Sequence, residues 1–416
     1  MKMVMDPSKG LLIRGPSSLT MLRGSIEIVG FPLRPRREII IREGLTLPIL
    51  FLKKSSIDVT LGEGADLREV AGPLIPPSWD AVVEEVLAKG FKTMLVMGGT
   101  DSGKTTFCVY ASNRLVKKLG GIAIIDGDIG QSDIGPPATV SMGLIKDYII
   151  DMFSVKPFKM HFVGAISPRG VTGRVITSVK SLLKLATTNL TIINTDGWIE
   201  GGGAVSYKTL LLEAVKPQCL VYAQKSSELK PIVKEANKRG IKTLSIDPPK
   251  TMKKRSEAER KFHRELSYKK FLKNAKLRLI PFKDVEIKGS LFGVGAMAPS
   301  RDVKRYQRFL KKSILYVEEN PSAILLLLKD AKSFPTRKIQ EMKESVGKEV
   351  LLLKSRLGFL VWLSSDGKSG IGSLFDIDYD RNVFKVYTEF DDAVKELELS
   401  CLRVDKNGKE HLPLIS

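Results

Sequence analysis

The sequence predicts an α/β protein: a central domain built on a mostly parallel sheet, flanked by small β-rich domains at both ends. Three observations carry that expectation. Between about residues 91 and 250, continuous Val/Ile/Leu runs alternate with helical patterns, as in a sheet covered on both faces. The first of those runs ends in a glycine-rich turn that opens a helix. Outside that stretch, short apolar runs are split by Gly and Pro.

In chain order, the first eighty or so residues, "GLLIRGPSSLTMLRGSIEIVGFPLRPRREIIIREGLTLPILFLKKSSIDVTLGEG", read as short strands of a β-sandwich. "IPPSWDAVVEEVLAKG" reads as a helix entering the central domain, with Ser78 or Asp80 as candidate cap. "TMLVMGG", "GIAIIDGD", "LTIINTDGW", "QCLVYAQ" and "KTLSID" read as buried strands, and a further strand is expected to end near Ala165. The segment from Lys104 to "RLVKKLGG", "SVKSLLKLATT", "YKTLLLEAVKP" and "SELKPIVKEANKRG" read as the helices between them. "KKRSEAERKFHRELSYKKFLKNAK" is a highly basic helical segment, at about 250–275. After it, "VEIKGSLFGVG", "SAILLLLKD" and "GFLVWLSSDGKSGIGSLFDIDYDRNVFKVYTEF" return to strands and turns around one helix, "FPTRKIQEMKESVG". The expected domains are 1–75, 76–280 and 281–416.

Composition narrows the function classes. With 43% hydrophobic and 27% charged residues over 416 positions, the chain reads as globular rather than disordered. No run of about 18 apolar residues offers a membrane span, so no membrane partner is expected. Three scattered cysteines, with no zinc-ligand spacing and no secretory apolar run at the N-terminus, point to an intracellular, cytoplasmic location. Few glutamines and many Lys, Arg and Glu point toward a thermophilic prokaryote. The net charge of +21 favours a polyanion, nucleic acid above all, over a merely Lys-rich surface.

Gly98-Gly99-Thr100-Asp101-Ser102-Gly103-Lys104-Thr105 fits GxxxxGK[ST] without a mismatch, the P-loop pattern. Its backbone N–H groups and the following helix N-terminus suit a nucleotide's phosphates. Lys104 is expected to reach the β- and γ-phosphates and Thr105 to ligate Mg²⁺. Asp126 and Asp128, at the end of "AIIDGD", could serve the Mg²⁺ shell, accept a proton from an attacking hydroxyl, or cap a turn. Gln131 could orient a nucleophile or be a turn residue. Trp198, between Gly197 and the Gly201–Gly203 run, reads as a loop residue that could stack on a base or belong to the core. Asn194 and Thr195, at the strand tip beside it, could touch substrate. Arg255, Arg260 and Arg264 lie near one face of the basic helix and read either as a phosphate-facing lid or as a solvated face. Arg169 and Arg174 could contact nucleic-acid phosphates or be exposed loop arginines.

Taken together, "GGTDSGKTT", "DGDIGQSDIGPP", "GAISP", "NTDGWIEG" and "RSEAERKFHRE", in that order, resemble the polynucleotide 5'-hydroxyl-kinase family. That family includes a pre-mRNA cleavage-factor subunit, a pre-rRNA-processing kinase and archaeal relatives. The resemblance runs over roughly residues 90 to 275 and implies a P-loop NTPase domain inside a three-domain plan. It implies ATP and Mg²⁺ at Gly98, Thr100, Asp101, Ser102, Gly103, Lys104, Thr105 and Thr106. It also implies that Asp128 serves the metal and the substrate hydroxyl, that Trp198 packs on the terminal nucleotide, and that Arg255 and Arg260 contact phosphates, with Arg264 as a third. The N-terminal domain would cover the adenine. "GAISPRG" departs from the family pattern, with Ala and Ile where polar residues are expected.

The expected activity is transfer of the γ-phosphoryl of ATP to the 5'-hydroxyl of RNA, with DNA as a second acceptor to test. Protein partners are not legible. A nucleotide-hydrolysing switch and a subunit that holds ATP structurally remain the alternatives. "AQKSS" supplies no aspartate for a guanine-reading NKxD, which weakens a GTPase.

Overall fold

The computed structural model describes residues 1–223, 227–251, 254–289, 296–328, 336–352, 358–378 and 380–411. Parts of the predicted elements lie outside them: the last residue of "QCLVYAQ", three residues of "AQKSS", the first lysine of "KKRSEAERKFHRELSYKKFLKNAK", all of "SLFGVG", the last two residues of "SAILLLLKD", the first two of "FPTRKIQEMKESVG", and Tyr379. The chain forms two compact units. One holds Met1–Gly135, Thr139–Val163 and Val171–His263; the other holds Pro136–Ala138, Gly164–Gly170 and Arg264–Ser416.

The first unit begins with two facing sheets. Lys2–Met5, Ser55–Leu61, Ser17–Arg23 and Glu38–Ile41 are neighbours in one, and Phe31–Leu33, Ile26–Ile28, Thr46–Phe51, Lys9–Arg14 and Asp66–Ala71 in the other. Strict alternation builds their core: Leu19 and Met21, two residues apart, are both buried, as are Ile57 and Val59. That core runs on into the helix Pro77–Lys89, through fully buried Trp79, whose ring meets Phe107 edge-on at 5.4 Å. Neither expected cap closes this helix, which starts on Pro76 with Pro77 in its first turn. Ser78 Oγ instead accepts the N–H of Asp247 at 3.0 Å, and Asp80 accepts the Tyr110 hydroxyl at 2.6 Å. Proline at the first turn needs no partner for the N–H it lacks, so the capping role is not required.

The central sheet has seven strands, in the order Pro157–Phe162, Thr139–Ile145, Ile122–Gly127, Thr191–Thr195, Thr93–Gly98, Cys219–Ala223, Lys242–Ile246. The last five in that order are mutually parallel, and the first two form an antiparallel edge. The strand expected to end near Ala165 ends at Phe162, and Thr139–Ile145 was not legible, because Ser141 and Gly143 break its apolar run. Parallel register sets Gly127 opposite Thr195 and Val96 opposite Asn194. The loops that leave these strands therefore gather at one carboxyl edge, where ligands of open α/β sheets bind.

The second unit pairs Lys276–Pro281, Val383–Thr388, Lys368–Asp378, Phe359–Ser365, Glu396–Val404 and Glu286–Gly289 in one sheet. A four-stranded sheet of Ala296–Met297, Ile314–Glu319, Ala323–Leu328 and Glu349–Leu352 carries the helices Ser300–Leu310 and Thr336–Val346. The helix Ser300–Leu310 escaped the sequence because its apolar stripe is thin: Tyr306 and Leu310 are its buried residues.

Candidate active site

The loop after Thr93–Gly98 reaches the helix Lys104–Leu119 through left-handed backbone at Asp101 (φ 53°) and Gly103 (φ 89°). Gly98 is required by close approach: a Cβ there would lie 2.6 Å from Ser102 Oγ and 2.8 Å from the Ala223 carbonyl oxygen. No side chain caps the helix, so its first N–H groups face the loop's interior. The Ser102 hydroxyl is buried and has no hydrogen-bond partner among the described residues. Lys104 is buried too, and its Nζ donates to the Gly99 carbonyl at 2.8 Å. Burial pushes its ammonium down from the usual lysine range, while neighbouring Asp128 works the other way. An orphaned hydroxyl, a bare helix N-terminus and a buried cation converge on one loop, a donor set that fits phosphate and offers an apolar side chain nothing.

The two carboxylates of "DGD" take different roles. Asp126 is fully buried and saturated: Oδ2 accepts the Asp133 N–H at 2.8 Å and the Ser132 hydroxyl at 3.3 Å, and Oδ1 accepts Asn194 Nδ2 at 3.2 Å. Burial, then Asp133, pushes its carboxyl up to about 7. Asp128 is half-buried; its Oδ1 accepts the N–H groups of Gly130 (3.2 Å) and Gln131 (3.0 Å). Burial and the Asp196 charge raise its carboxyl, and Lys104 opposes them. Asp128 faces a cavity of about 360 Å³ that residues 100–106, Gln131 and Arg255 also line, together with Leu45, Pro48 and Ile75 of the N-terminal sheets and their linker.

Asn194 is corrected by its surroundings. At 1% exposure it does not reach the cavity; its Nδ2 bridges Thr105 Oγ1 (3.4 Å) and Asp126, so it positions rather than touches substrate. Thr195 likewise turns inward, donating to the Val96 carbonyl. Gln131 Nε2 donates to the carbonyls of Gly130 (3.0 Å) and Arg260 (3.3 Å), which ties the acidic loop to the basic helix.

That helix, Glu257–Leu272, opens with a capping box: Ser256 Oγ accepts the Glu259 N–H at 3.1 Å while Glu259 accepts the Ser256 N–H at 2.8 Å. Asp101 of the P-loop accepts both the Arg255 backbone N–H (3.0 Å) and Arg260 Nη2 (2.8 Å). Arg255 is exposed and lines the cavity; Arg260 is held beside the loop. Arg264 is corrected: it forks onto Glu410, Nε to Oε1 at 2.6 Å and Nη2 to Oε2 at 2.8 Å, a bidentate pair that occupies the guanidinium. Arg174 also turns to the fold, donating to the Phe162 carbonyl.

Trp198 is half-buried, its ring stacked on Tyr207 at 5.9 Å and its backbone N–H donated to Asp196 Oδ1 at 3.0 Å. The sequence missed a cluster on the cavity wall. Arg42 pairs with Asp151 (3.0 Å), stacks over Phe153 (4.1 Å), and lies 3.7 Å from Asp133 and 3.4 Å from His263 Nε2. Its residues are scattered between positions 42 and 263, so spacing carried no signal.

Residues 98–274 match the family described as mRNA cleavage and polyadenylation factor CLP1 P-loop. The polyribonucleotide 5'-hydroxyl-kinase of Methanocaldococcus jannaschii is 29% identical over 328 residues, 76% of this chain and 88% of that protein. The enzyme of the same name from Pyrococcus abyssi is 28% identical, over 78% of this chain and 91% of its own. In structure, the chain is similar to Clp1p from its complex with a Pcf11p fragment, with a TM-score of 0.68 over 97% of each chain. At 12% identity that likeness establishes the fold.

Proposed function

We propose that this chain, a member of the polynucleotide 5'-hydroxyl-kinase family, transfers the γ-phosphoryl group of ATP to the 5'-hydroxyl of RNA. The observation that carries the reading is the meeting of Lys104, Asp128 and Arg255 with the P-loop around one cavity. The 5'-oxygen attacks the γ-phosphorus in line, the bond to the β-phosphate oxygen breaks, and ADP leaves. Asp128 stands where it can orient the hydroxyl and take its proton; its raised carboxyl makes it a better base than an exposed aspartate. Lys104, now donating to Gly99, exchanges that carbonyl for a phosphate oxygen, and Arg255, which lines the same cavity, neutralises charge there.

The Thr105 hydroxyl and the Asp128 carboxylate fit a Mg²⁺ that arrives with the nucleotide, since Mg²⁺ sites commonly combine one or two protein oxygens with phosphates and water. Bound there, the ion would screen the β- and γ-phosphate charge. The apolar wall of Leu45, Pro48, Leu74 and Ile75 suits the purine. Trp198 would pack against the terminal nucleotide, and the surplus of +21 would hold the strand.

The test is label transfer from γ-labelled ATP to a short 5'-hydroxyl RNA, with a DNA of the same sequence alongside. Labelled RNA is expected. ATP hydrolysis without transfer to either strand would replace the kinase by a switch, and neither reaction would leave a structural ATP-binding subunit.

A further inference from the structure

Behind Trp198 lies a buried ion pair that the chemistry above touches only through the Asp196 charge felt by Asp128. Lys208 is 0% exposed and Asp196 4%. Lys208 Nζ donates to Asp196 Oδ2 at 2.8 Å and to the Asp196 carbonyl at 3.2 Å, and it stands 4.6 Å from the centre of the Tyr207 ring. The Tyr207 hydroxyl donates to the same Oδ2 at 2.9 Å, while Oδ1 accepts the Trp198 backbone N–H. One carboxylate is thus tied at one oxygen to the helix Gly202–Val215 and at the other to the backbone that carries Trp198.

The loop is gripped on its other sides as well. A Cβ on Gly197 would lie 2.6 Å from Thr100 Oγ1 and 2.8 Å from the Thr100 backbone, so this backbone rests directly on the P-loop. A Cβ on Gly203 would stand 3.3 Å from the Trp198 ring. Taking two charges out of water is costly, and well-packed apolar residues would dock the helix on the sheet at least as well. Packing therefore does not account for the pair. What it supplies is direction: a fixed carboxylate holds the Trp198 N–H only while Lys208 and Tyr207 hold the carboxylate.

We propose that Asp196 and Lys208 form a positioning pair that sets the Trp198 loop for the end of the polynucleotide, with Lys208 acting through Asp196 and touching no substrate. The inference rests on the reading of Trp198 as the surface that meets the terminal nucleotide. It predicts a split between the two substrates, because Lys208 hydrogen-bonds to Asp196 and Lys104 to the P-loop's own Gly99, and the charges of Lys208 and Asp196 act on Lys104 through space in opposite senses.

The full chain is compared with Lys208→Met and with the double variant Asp196→Asn/Lys208→Met, which leaves no unpaired buried charge. Binding of a fluorescent 5'-hydroxyl oligoribonucleotide is followed by anisotropy, binding of a fluorescent ATP analogue in parallel, and folding by circular dichroism melts. Both variants are expected to bind the oligonucleotide about tenfold more weakly, as loss of one well-made hydrogen bond allows, and the nucleotide within about twofold. Unchanged oligonucleotide affinity in a folded variant overturns the proposal. An equal loss for both ligands overturns it too, since that is general loosening, and so does failure of the double variant to fold. A wild-type chain that binds the oligonucleotide but transfers no phosphoryl group refutes the kinase reading while the comparison stands; a wild type that binds no oligonucleotide overturns the positioning role.

Discussion

Asp101 Oδ2 lies 2.8 Å from Arg260 Nη2 and 3.0 Å from the backbone nitrogen of Arg255, so a single P-loop carboxylate holds the start of the basic helix by a side chain and a main chain. Asp101 itself sits at φ 53°, a conformation that aspartate tolerates better than most residues. The nucleotide loop and the helix over it are thereby one device. Asp101→Asn keeps the size but weakens the ionic bond to Arg260. It should lower kcat by about tenfold, the worth of one charge-assisted contact, with the melting temperature little changed. Steady-state phosphorylation of a 5'-hydroxyl RNA checks it; an unaltered kcat would show that the latch does not matter in turnover.

Lys104→Ala and Asp128→Asn should each cost on the order of 10²–10⁴ in kcat, as expected for loss of a phosphate-facing cation or a general base. They should differ in nucleotide affinity. Lys104→Ala removes a direct phosphate partner and weakens ATP binding, whereas Asp128→Asn keeps the Gly130 and Gln131 hydrogen bonds through its amide oxygen. Equilibrium binding of a fluorescent ATP analogue separates the two.

His263 carries the pH prediction. Burial, then the charges of Arg255 and Arg42, push its imidazolium down to about 3, against a weaker opposing pull from Asp151. The side chain is therefore neutral at pH 7, and its 3.8 Å approach to Asp133 is not an ion pair. The unfolded chain protonates this histidine below about 6.5 while the folded chain does not, so unfolding takes up a proton as the pH falls. The stability this group confers is complete above 6.5 and is lost as the pH drops toward 3. Relative to His263→Leu, the wild type should lose about 1–2 kcal/mol between pH 6.5 and 5. Paired denaturant titrations at pH 7 and pH 5 test it, and a difference that does not change with pH would refute it.

Arg264→Ala should act on stability and spare catalysis. Arg264 and Glu410 are each 14% exposed and joined by two hydrogen bonds, so truncating one strands the other's charge. A cost of roughly 2–4 kcal/mol is expected, with kcat and both KM values unchanged in the folded enzyme. A selective fall in kcat would return Arg264 to the set of phosphate-facing arginines.

The legible parts of this site are those whose geometry is local. The P-loop declares itself because the strand before it, the glycine spacing and the helix that follows form one contiguous stretch, Thr93–Leu119. Asn194 was legible as a residue at a strand tip but not as one that turns inward, because strand alternation assigns a face only once the sheet's covering layers are known. Thr139–Ile145 and Ser300–Leu310 were missed for a similar reason: their periodicity is blurred by small or polar residues that tertiary contacts tolerate.

By itself the sequence determined the α/β class, the phosphate loop, the DGDIGQ carboxylates and the order of the motifs, since backbone preference and hydrophobic period act over a few residues. The resemblance singled out Asp128, and the tertiary structure supplied the physical reason for it and decided which arginine serves the nucleotide loop. Asp126 is consumed by the turn it supports, leaving Asp128 to the cavity. Arg260 meets a carboxylate 159 residues away and Arg264 one 146 residues away. Two arginines four positions apart on one helix look alike in the chain; the charge each one finds across the fold sets its role.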